Sequence, residues 1–267
     1  MPRTALDPLF TAVDAPAFTD RHLAELAAGT LAAVRVPDFL DRQTCASVLA
    51  GLDRLPTADY DHARVPTPIL RFGPALNDYR EPDGTLDVDR YLKHAEAADD
   101  AWRRAGIRPD PIAASLERLG SAWGVTVSPA TIDGRPAFGG TLREIDNGAL
   151  IHYDSVNREF PTGLFDQQVV AQLAFNIWVQ APADGRGATM IWRHRWEPVD
   201  ERYRDAYGYR PEAVNGHQRV RLVPETGDGL LFNPVHFHAV EPCPGQRRIA
   251  FAFFLALTLT GQLISWS

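Results

Sequence analysis

The chain has 267 residues, 45% of them hydrophobic and 23% charged, and a formal net charge of −7. That composition is ordinary for a folded globular protein, and one all-β domain commonly reaches this length. It excludes a nucleic-acid binder, which would carry a basic stripe denser than Arg193, Arg195 and a few neighbours. The longest apolar run, IAFAFFLAL, is too short to span a bilayer, and MPRTALDPLF lacks a signal core. Cys45 and Cys243 are too few for a disulfide framework, so a reduced, cytoplasmic setting is expected.

In chain order, residues 1–30 read as a short helical lead-in. Val34 to Phe39 suits a strand, and Asp41 is placed to cap a helix with Val48, Leu49 and Leu52 on its apolar face. Residues 56–92 are rich in Pro, Asp, Gly and Tyr without periodicity, as a lid or binding loop would be. Residues 90–123 read as two helices broken near Arg108-Pro109-Asp110-Pro111, with Pro111 in the first turn of the second. Ile112, Leu116, Leu119 and Trp123 share the spacing of a core-facing stripe.

From Val125 the pattern changes to strands: VTV, FGGTLREI, ALIHYDSV, the long apolar VVAQLAFNIWVQAP, GATMIWRHRWEP, RVRLVP, GLLFNPVHFHAV and RRIAFAFFLALTL. A helix interrupts over 198–208. A mainly helical part over 1–123 thus precedes roughly eight strands over 124–267. Many short strands between turn residues predict a mainly β fold with flanking helices, closed or double-sheeted.

Three residues suggest a metal site. In a strand, residues i and i+2 share a face, so His152 and Asp154 in ALIHYDSV point together. A third ligand must come from elsewhere, and His238 lies on a late strand. Two imidazoles and a carboxylate on one face suit iron(II) and leave positions for a bidentate cosubstrate and O2. His236 shares a face with His238 and competes for the role.

A turn centred on Cys243 would set His238 and Arg248 opposite each other as cross-strand partners. On the next strand Arg248, Ala250 and Ala252 alternate with Ile249, Phe251 and Phe253. A cation beside small residues leaves room for an anion, so Arg248 is the candidate to grip the far carboxylate of 2-oxoglutarate. Arg247 takes its place if the register slips by one. Asn176 assists 2-oxoglutarate if its side of the strand faces inward. Arg143 binds a substrate carboxylate, or pairs with Glu144 or Asp146 at the surface, which is favoured. Trp178, Trp192 and Trp196 line a pocket or form core. Arg71, Phe72, Asn77 and Tyr79 fall within the expected lid, and Phe72 and Trp178 are candidates to touch substrate.

These residues resemble the non-haem iron(II)/2-oxoglutarate-dependent oxygenases. Within them the chain looks most like the carrier-independent aliphatic halogenases and their hydroxylase relatives. The likeness runs from about Ser128 to Ser267, through SPATI, the HxD strand, WEP, GDGLLF, HFHAV and RRIAF. It implies a double-stranded β-helix, a cupin-like jelly roll. It also implies that His152, Asp154 and His238 ligate iron while Arg248 holds 2-oxoglutarate, which is decarboxylated to succinate as a C–H bond of a small free-standing substrate is oxidised. The halogenases carry Gly where this chain has Asp154; the retained carboxylate implies a hydroxylase. Such a substrate would be a natural-product intermediate or an amino acid. The alternatives are a cupin-type isomerase or hydrolase using another metal, and a non-catalytic jelly-roll binding protein. Oligomeric state is not legible.

Overall fold

The computed structural model describes residues 6–60 and 65–267. Its helices are α1 (Asp20–Ala28), α2 (Arg42–Gly51), α3 (Val88–Ala105), α4 (Pro111–Trp123) and α5 (Val156–Glu159). The strands are β1 (Ala12–Asp14), β2 (Ala33–Val36), β3 (Ala58–Asp59), β4 (Leu70–Phe72), β5 (Ser128–Pro129), β6 (Thr131–Ile132), β7 (Arg135–Pro136), β8 (Thr141–Glu144) and β9 (Ala149–His152). There follow β10 (Val169–Gln180), β11 (Thr189–Arg195), β12 (Arg204–Asp205), β13 (Gly208–Tyr209), β14 (Arg219–Leu222), β15 (Gly229–Phe232), β16 (His236–Val240), β17 (Ile249–Thr258) and β18 (Leu263–Trp266).

The helix boundaries follow from local chemistry. Asp41 accepts the Thr44 amide hydrogen at 2.7 Å, and Asp110 caps α4 through Ile112 at 2.9 Å, with Pro111 beside it needing no donor partner. Gly29, Gly106 and Gly124 end their helices in the left-handed conformation. Three expectations are corrected. The described part of 1–30 holds strand β1, paired in parallel with β2, before α1. VTV is not a strand; pairing begins at Ser128. The helix expected over 198–208 is a 3-10 helix at Pro198–Tyr203, after which β12 and β13 form a small hairpin.

Eight strands make the core, four in each of two sheets. The larger sheet contains β8-β17-β10-β15 in spatial order, the smaller β9-β16-β11-β14. Apart from the β11–β14 pair, each successive core strand crosses to the other sheet, which makes the fold a double-stranded β-helix, a jelly roll. The N-terminal part joins this frame as well as covering it: β1 and β2 extend the larger sheet beyond β15, and β3 and β4 extend it beyond β8.

Period-two alternation divides each long strand between two environments. On β10, Leu173, Phe175 and Ile177 pack outward in a cluster with Leu23 and Leu26 of α1, Cys45 of α2 and Leu119 of α4. On β17, Ile249 and Phe251 pack outward with Tyr91, Leu92 and Ala95 of α3. Each such aromatic or branched side chain contributes about 1.5–3 kcal/mol on burial. Their alternates, Gln172, Ala174 and Asn176 on β10 and Ala250 and Ala252 on β17, turn inward and are too small or polar to fill the gap between the sheets. A cavity of about 1420 Å³ results.

Candidate metal and cosubstrate site

His152 ends β9 and His238 sits in β16, and the two are direct cross-strand partners. Their rings lie 4.2 Å apart between centroids. Asp154 follows in the connection after β9, where its amide donates to the Pro234 carbonyl at 2.9 Å, pinning the HxD segment to the turn before β16. One ligand atom from each of the three residues falls within 4.8 Å of the others. Asp154 Oδ2 stands 3.4 Å from His238 Nε2 and 3.9 Å from His152 Nε2. Donors at right angles around one ion, each roughly 2.1 Å from it, would be about 3 Å apart, so the set fits a single metal.

The tautomers suit ligation. His152 Nδ1 lies 2.7 Å from the Leu150 carbonyl and His238 Nδ1 3.0 Å from the His236 carbonyl. A carbonyl only accepts, so each Nδ1 carries the hydrogen and each Nε2 keeps its lone pair for the centre. Burial, helped by the neighbouring His238, pushes the His152 pKa down to about 4, so its ring is neutral at neutral pH. Burial alone would raise the Asp154 pKa; its contact with His238 and the proximity of His152 and the Arg143 guanidinium outweigh it and hold the carboxyl below its usual value. A neutral imidazole pair and a carboxylate are the forms that bind a divalent cation.

His236 does not join the set. Its ring packs edge-on against Phe10 at 5.2 Å, and burial, with Arg195 nearby, lowers its pKa to about 4.

Arg248 reaches the same cavity by a route the residue spacing did not indicate. β16 and β17 lie in different sheets, so His238 and Arg248 are not cross-strand partners. Segment 241–248 is a corner between sheets because a jelly roll sends these successive strands to opposite layers. Arg248 is 4% exposed and lines the cavity beside Ala250 and Ala252. Its Nε donates to the Gly187 carbonyl at 2.9 Å and its Nη2 to Thr189 Oγ1 at 3.2 Å. Gly187, at φ +73°, permits this approach, since a Cβ there would stand 3.1 Å from Arg248 Cδ. Burial lowers the Arg248 pKa to about 10, which leaves it charged at neutral pH. Among the described residues no carboxylate pairs with its guanidinium. Arg247 points outward, forming a two-bond ion pair with Glu144 at 2.6 and 2.7 Å.

That pair also removes the partner offered to Arg143. Arg143 stands opposite Ala250 on β8, so it faces the cavity, and its Nε donates to the Tyr60 hydroxyl at 2.8 Å. The favoured surface pairing is therefore corrected. Asn176 lines the cavity opposite Ala252. Phe72 does not line it. On β4, Arg71 pairs with Arg143 and Phe72 with Leu142, and the one-residue step turns Phe72 to the outer face against Trp102 and Phe138. Trp178 is fully buried behind the site, its ring 5.6 Å from the Arg248 guanidinium, and does not reach the cavity surface either. Trp192 packs on the far face of the smaller sheet, and Trp196 donates to Glu201 at 2.7 Å under the Arg158 guanidinium.

The segment expected as a lid forms a wall of the cavity through Tyr60, Val65, Ile69, Ala75, Asn77 and Arg80; residues 61–64 lie outside the described part. Tyr79 turns away, 2.6 Å from His94 Nδ1. Spacing gave no sign of Glu159 or Tyr207, whose hydroxyl accepts the Leu150 amide hydrogen at 2.8 Å; both line the cavity from segments without strand periodicity. Gln172 could have been found by stepping back four residues from Asn176.

A jelly roll whose cavity brings two histidines, an aspartate and an unpaired buried arginine together has the outline of a metal- and oxoacid-dependent oxygenase. No family model matches the chain. It is 53% identical over 259 residues to an L-gamma-glutamyl-L-propargylglycine hydroxylase of Streptantibioticus cattleyicolor, covering 97% of this chain and 96% of the relative. It is 32% identical over 140 residues to leucinostatins biosynthesis cluster protein S of Purpureocillium lilacinum, covering 49% of this chain and 56% of that one. In fold it is similar to an N-substituted L-amino acid dioxygenase of Burkholderia ambifaria, with TM-score 0.64, 18% identity and coverage of 93% and 91%. The crystal structure of that dioxygenase with α-ketoglutarate gives TM-score 0.61 at 19% identity. The chain belongs to the non-haem iron(II)/2-oxoglutarate-dependent oxygenases. Within them it is a hydroxylase that acts on a small molecule. No described helix is long and apolar enough to cross a membrane.

Proposed function

We propose that this hydroxylase acts on a small amino-acid derivative, with the γ-glutamyl dipeptide class named for its bacterial relative as the first candidate, and that it serves natural-product biosynthesis. His152, Asp154 and His238 hold iron(II). Arg248 grips the far carboxylate of 2-oxoglutarate, with Thr189 fixing the guanidinium and Asn176 beside it. Arg143, steadied by Tyr60, takes a carboxylate of the substrate. The chain, residues 1–267, works as one domain.

The observation that carries this reading is Arg248: a buried cation with no ion-pair partner among the described residues, facing a cavity that also holds the triad. Leaving a charge buried and unpaired costs several kcal/mol, and a bound carboxylate removes that cost. Iron(II) with 2-oxoglutarate and O2 supplies the oxidising power, one O2 and one 2-oxoglutarate giving hydroxylated product, succinate and CO2. The chain orients and encloses. Two strand-borne histidines and Asp154, pinned by its amide to the Pro234 carbonyl, fix the metal, the apolar Ala250 and Ala252 floor leaves room for the cosubstrate chain, and Arg143 orients the C–H bond.

Succinate release from the purified protein is the test. With iron(II), O2 and L-γ-glutamyl-L-propargylglycine, succinate and a product heavier by one oxygen form in equal amounts. Arg143→Gln raises the substrate KM by about tenfold or more while the 2-oxoglutarate KM changes by less than about twofold. Succinate formation that no amino acid or dipeptide stimulates would contradict the reading, as would an Arg143→Gln effect on the 2-oxoglutarate KM alone.

A further inference from the structure

Glu159 has no part in the chemistry above, yet its position is unusual. It is the last residue of α5 and lines the cavity, five residues after Asp154. Burial, together with the charge of Asp154, pushes its pKa up to about 7, against the opposing effects of Arg80, the Asn77 side chain and the Ser155 amide. Among the described residues it forms no ion pair.

The other acidic groups of the wall differ. Glu201 accepts from Trp196 Nε1 and the Tyr209 hydroxyl and lies 3.4 Å from Arg204. Asp154 is committed to the two histidines. Glu81 is exposed. Glu159 is thus a carboxylate set into the wall of the cavity that, among the described residues, feels Arg80 through space but forms no ion pair. Asn77, which acts on it, comes from the wall segment that also supplies Tyr60, the partner of Arg143.

We propose that Glu159 is the receptor for a cationic ammonium group of the substrate, so that the cavity reads an amino-acid derivative by its carboxylate at Arg143 and its ammonium at Glu159. The assignment rests on the amino-acid substrate reading above. A carboxylate in a partly desolvated wall attracts an ammonium more strongly than one in water. A neutral substrate would leave Glu159 uncompensated, and a purely anionic one would also be repelled by it. The site therefore selects for the ammonium as well as accommodating it.

The experiment compares wild type with Glu159→Gln on two pairs of compounds that differ only in the ammonium. One pair is γ-glutamyl-propargylglycine and glutaryl-propargylglycine; the other is L-propargylglycine and its desamino acid. The readout is kcat/KM for succinate release, expressed as the preference for the amine-bearing member of each pair. Wild type prefers the amine by tenfold or more, and Glu159→Gln reduces the preference to within about twofold of unity. The visible band formed anaerobically with iron(II) and 2-oxoglutarate persists in the variant, showing an intact metal site. An unchanged preference in Glu159→Gln overturns the proposal, as does an equal loss with both members of a pair. Wild-type preference for the desamino compounds overturns it while leaving the hydroxylase reading in place. Turnover of none of the four compounds overturns the amino-acid substrate reading and this proposal together.

Discussion

Asp154→Gly abolishes hydroxylation, lowering kcat/KM by more than about 100-fold. Changes to the partners that merely orient metal ligands cost about 10- to 100-fold, and Asp154 is proposed as a ligand itself, the one anionic donor of the set. Its Oδ2 stands 3.4 Å from His238 Nε2, so its loss removes the counter-charge that makes the pocket attractive to a divalent cation. The two histidines remain cross-strand partners and keep their carbonyl-bonded tautomers. The variant therefore retains a weakened two-histidine site with an added open position. The aliphatic halogenases that the sequence resembles carry glycine at this position. Chloride added to the variant is expected to alter the visible band of its iron(II)–2-oxoglutarate complex and to leave the wild-type band unchanged. Product analysis by mass spectrometry reads the activity, and wild-type levels of hydroxylated product from Asp154→Gly would remove Asp154 from the metal.

Arg248→Gln raises the KM for 2-oxoglutarate by roughly 30- to 4000-fold, with a much smaller change in the KM for the amino-acid substrate. Removing one member of a buried, hydrogen-bonded charge pair costs about 2–5 kcal/mol, and each 1.4 kcal/mol is tenfold in affinity. Glutamine spans less of the gap and offers one amide where the guanidinium offers a fork. Arg248→Lys restores the charge without the fork and falls between the two. Arg247→Gln is the matched control. Its guanidinium is bound to Glu144 and half exposed, an ion pair of the kind that contributes little. The 2-oxoglutarate KM of Arg247→Gln is expected within about twofold of wild type. Saturation curves for 2-oxoglutarate at fixed substrate decide the matter, and a larger shift in Arg247→Gln than in Arg248→Gln would reverse the assignment.

The grouping of His152, Asp154 and His238 was legible because its signal is local and chemical. His152 and Asp154 are two residues apart where strand β9 ends, Asp154 lying just past the strand in which it was expected, and His238 lies in a second run of strand residues. The jelly roll was legible through turn residues and alternation, the helices through Asp41, Asp110 and Pro111. That Arg248 faces the cavity was read from sound residue chemistry joined to incorrect topology. Small residues alternating with a cation do mark a cavity floor, yet the link to His238 is a corner between sheets and not a hairpin, which only the strand order reveals. Phe72 and Trp178 show the limit of residue type as a guide. Both are aromatic and near the cavity in sequence terms, but one step of strand register sends Phe72 outward, and Trp178 supports Arg248 from behind. Glu159 was invisible because α5 is four residues long, with no periodicity to read. Arg143 was misplaced at the surface because its sequence neighbour Glu144 is taken by Arg247, a pairing set by the distant strand β17.

The central claim is that His152, Asp154 and His238 hold one iron(II) on which 2-oxoglutarate, gripped by Arg248, is chelated. It is tested most directly by anaerobic titration of iron(II) into the protein in the presence of 2-oxoglutarate, followed by visible absorption. The predicted result is a charge-transfer band that saturates at one iron per chain, is lost in His152→Ala and His238→Ala, and needs far more 2-oxoglutarate in Arg248→Gln. A band of undiminished intensity in both histidine variants would contradict the claim.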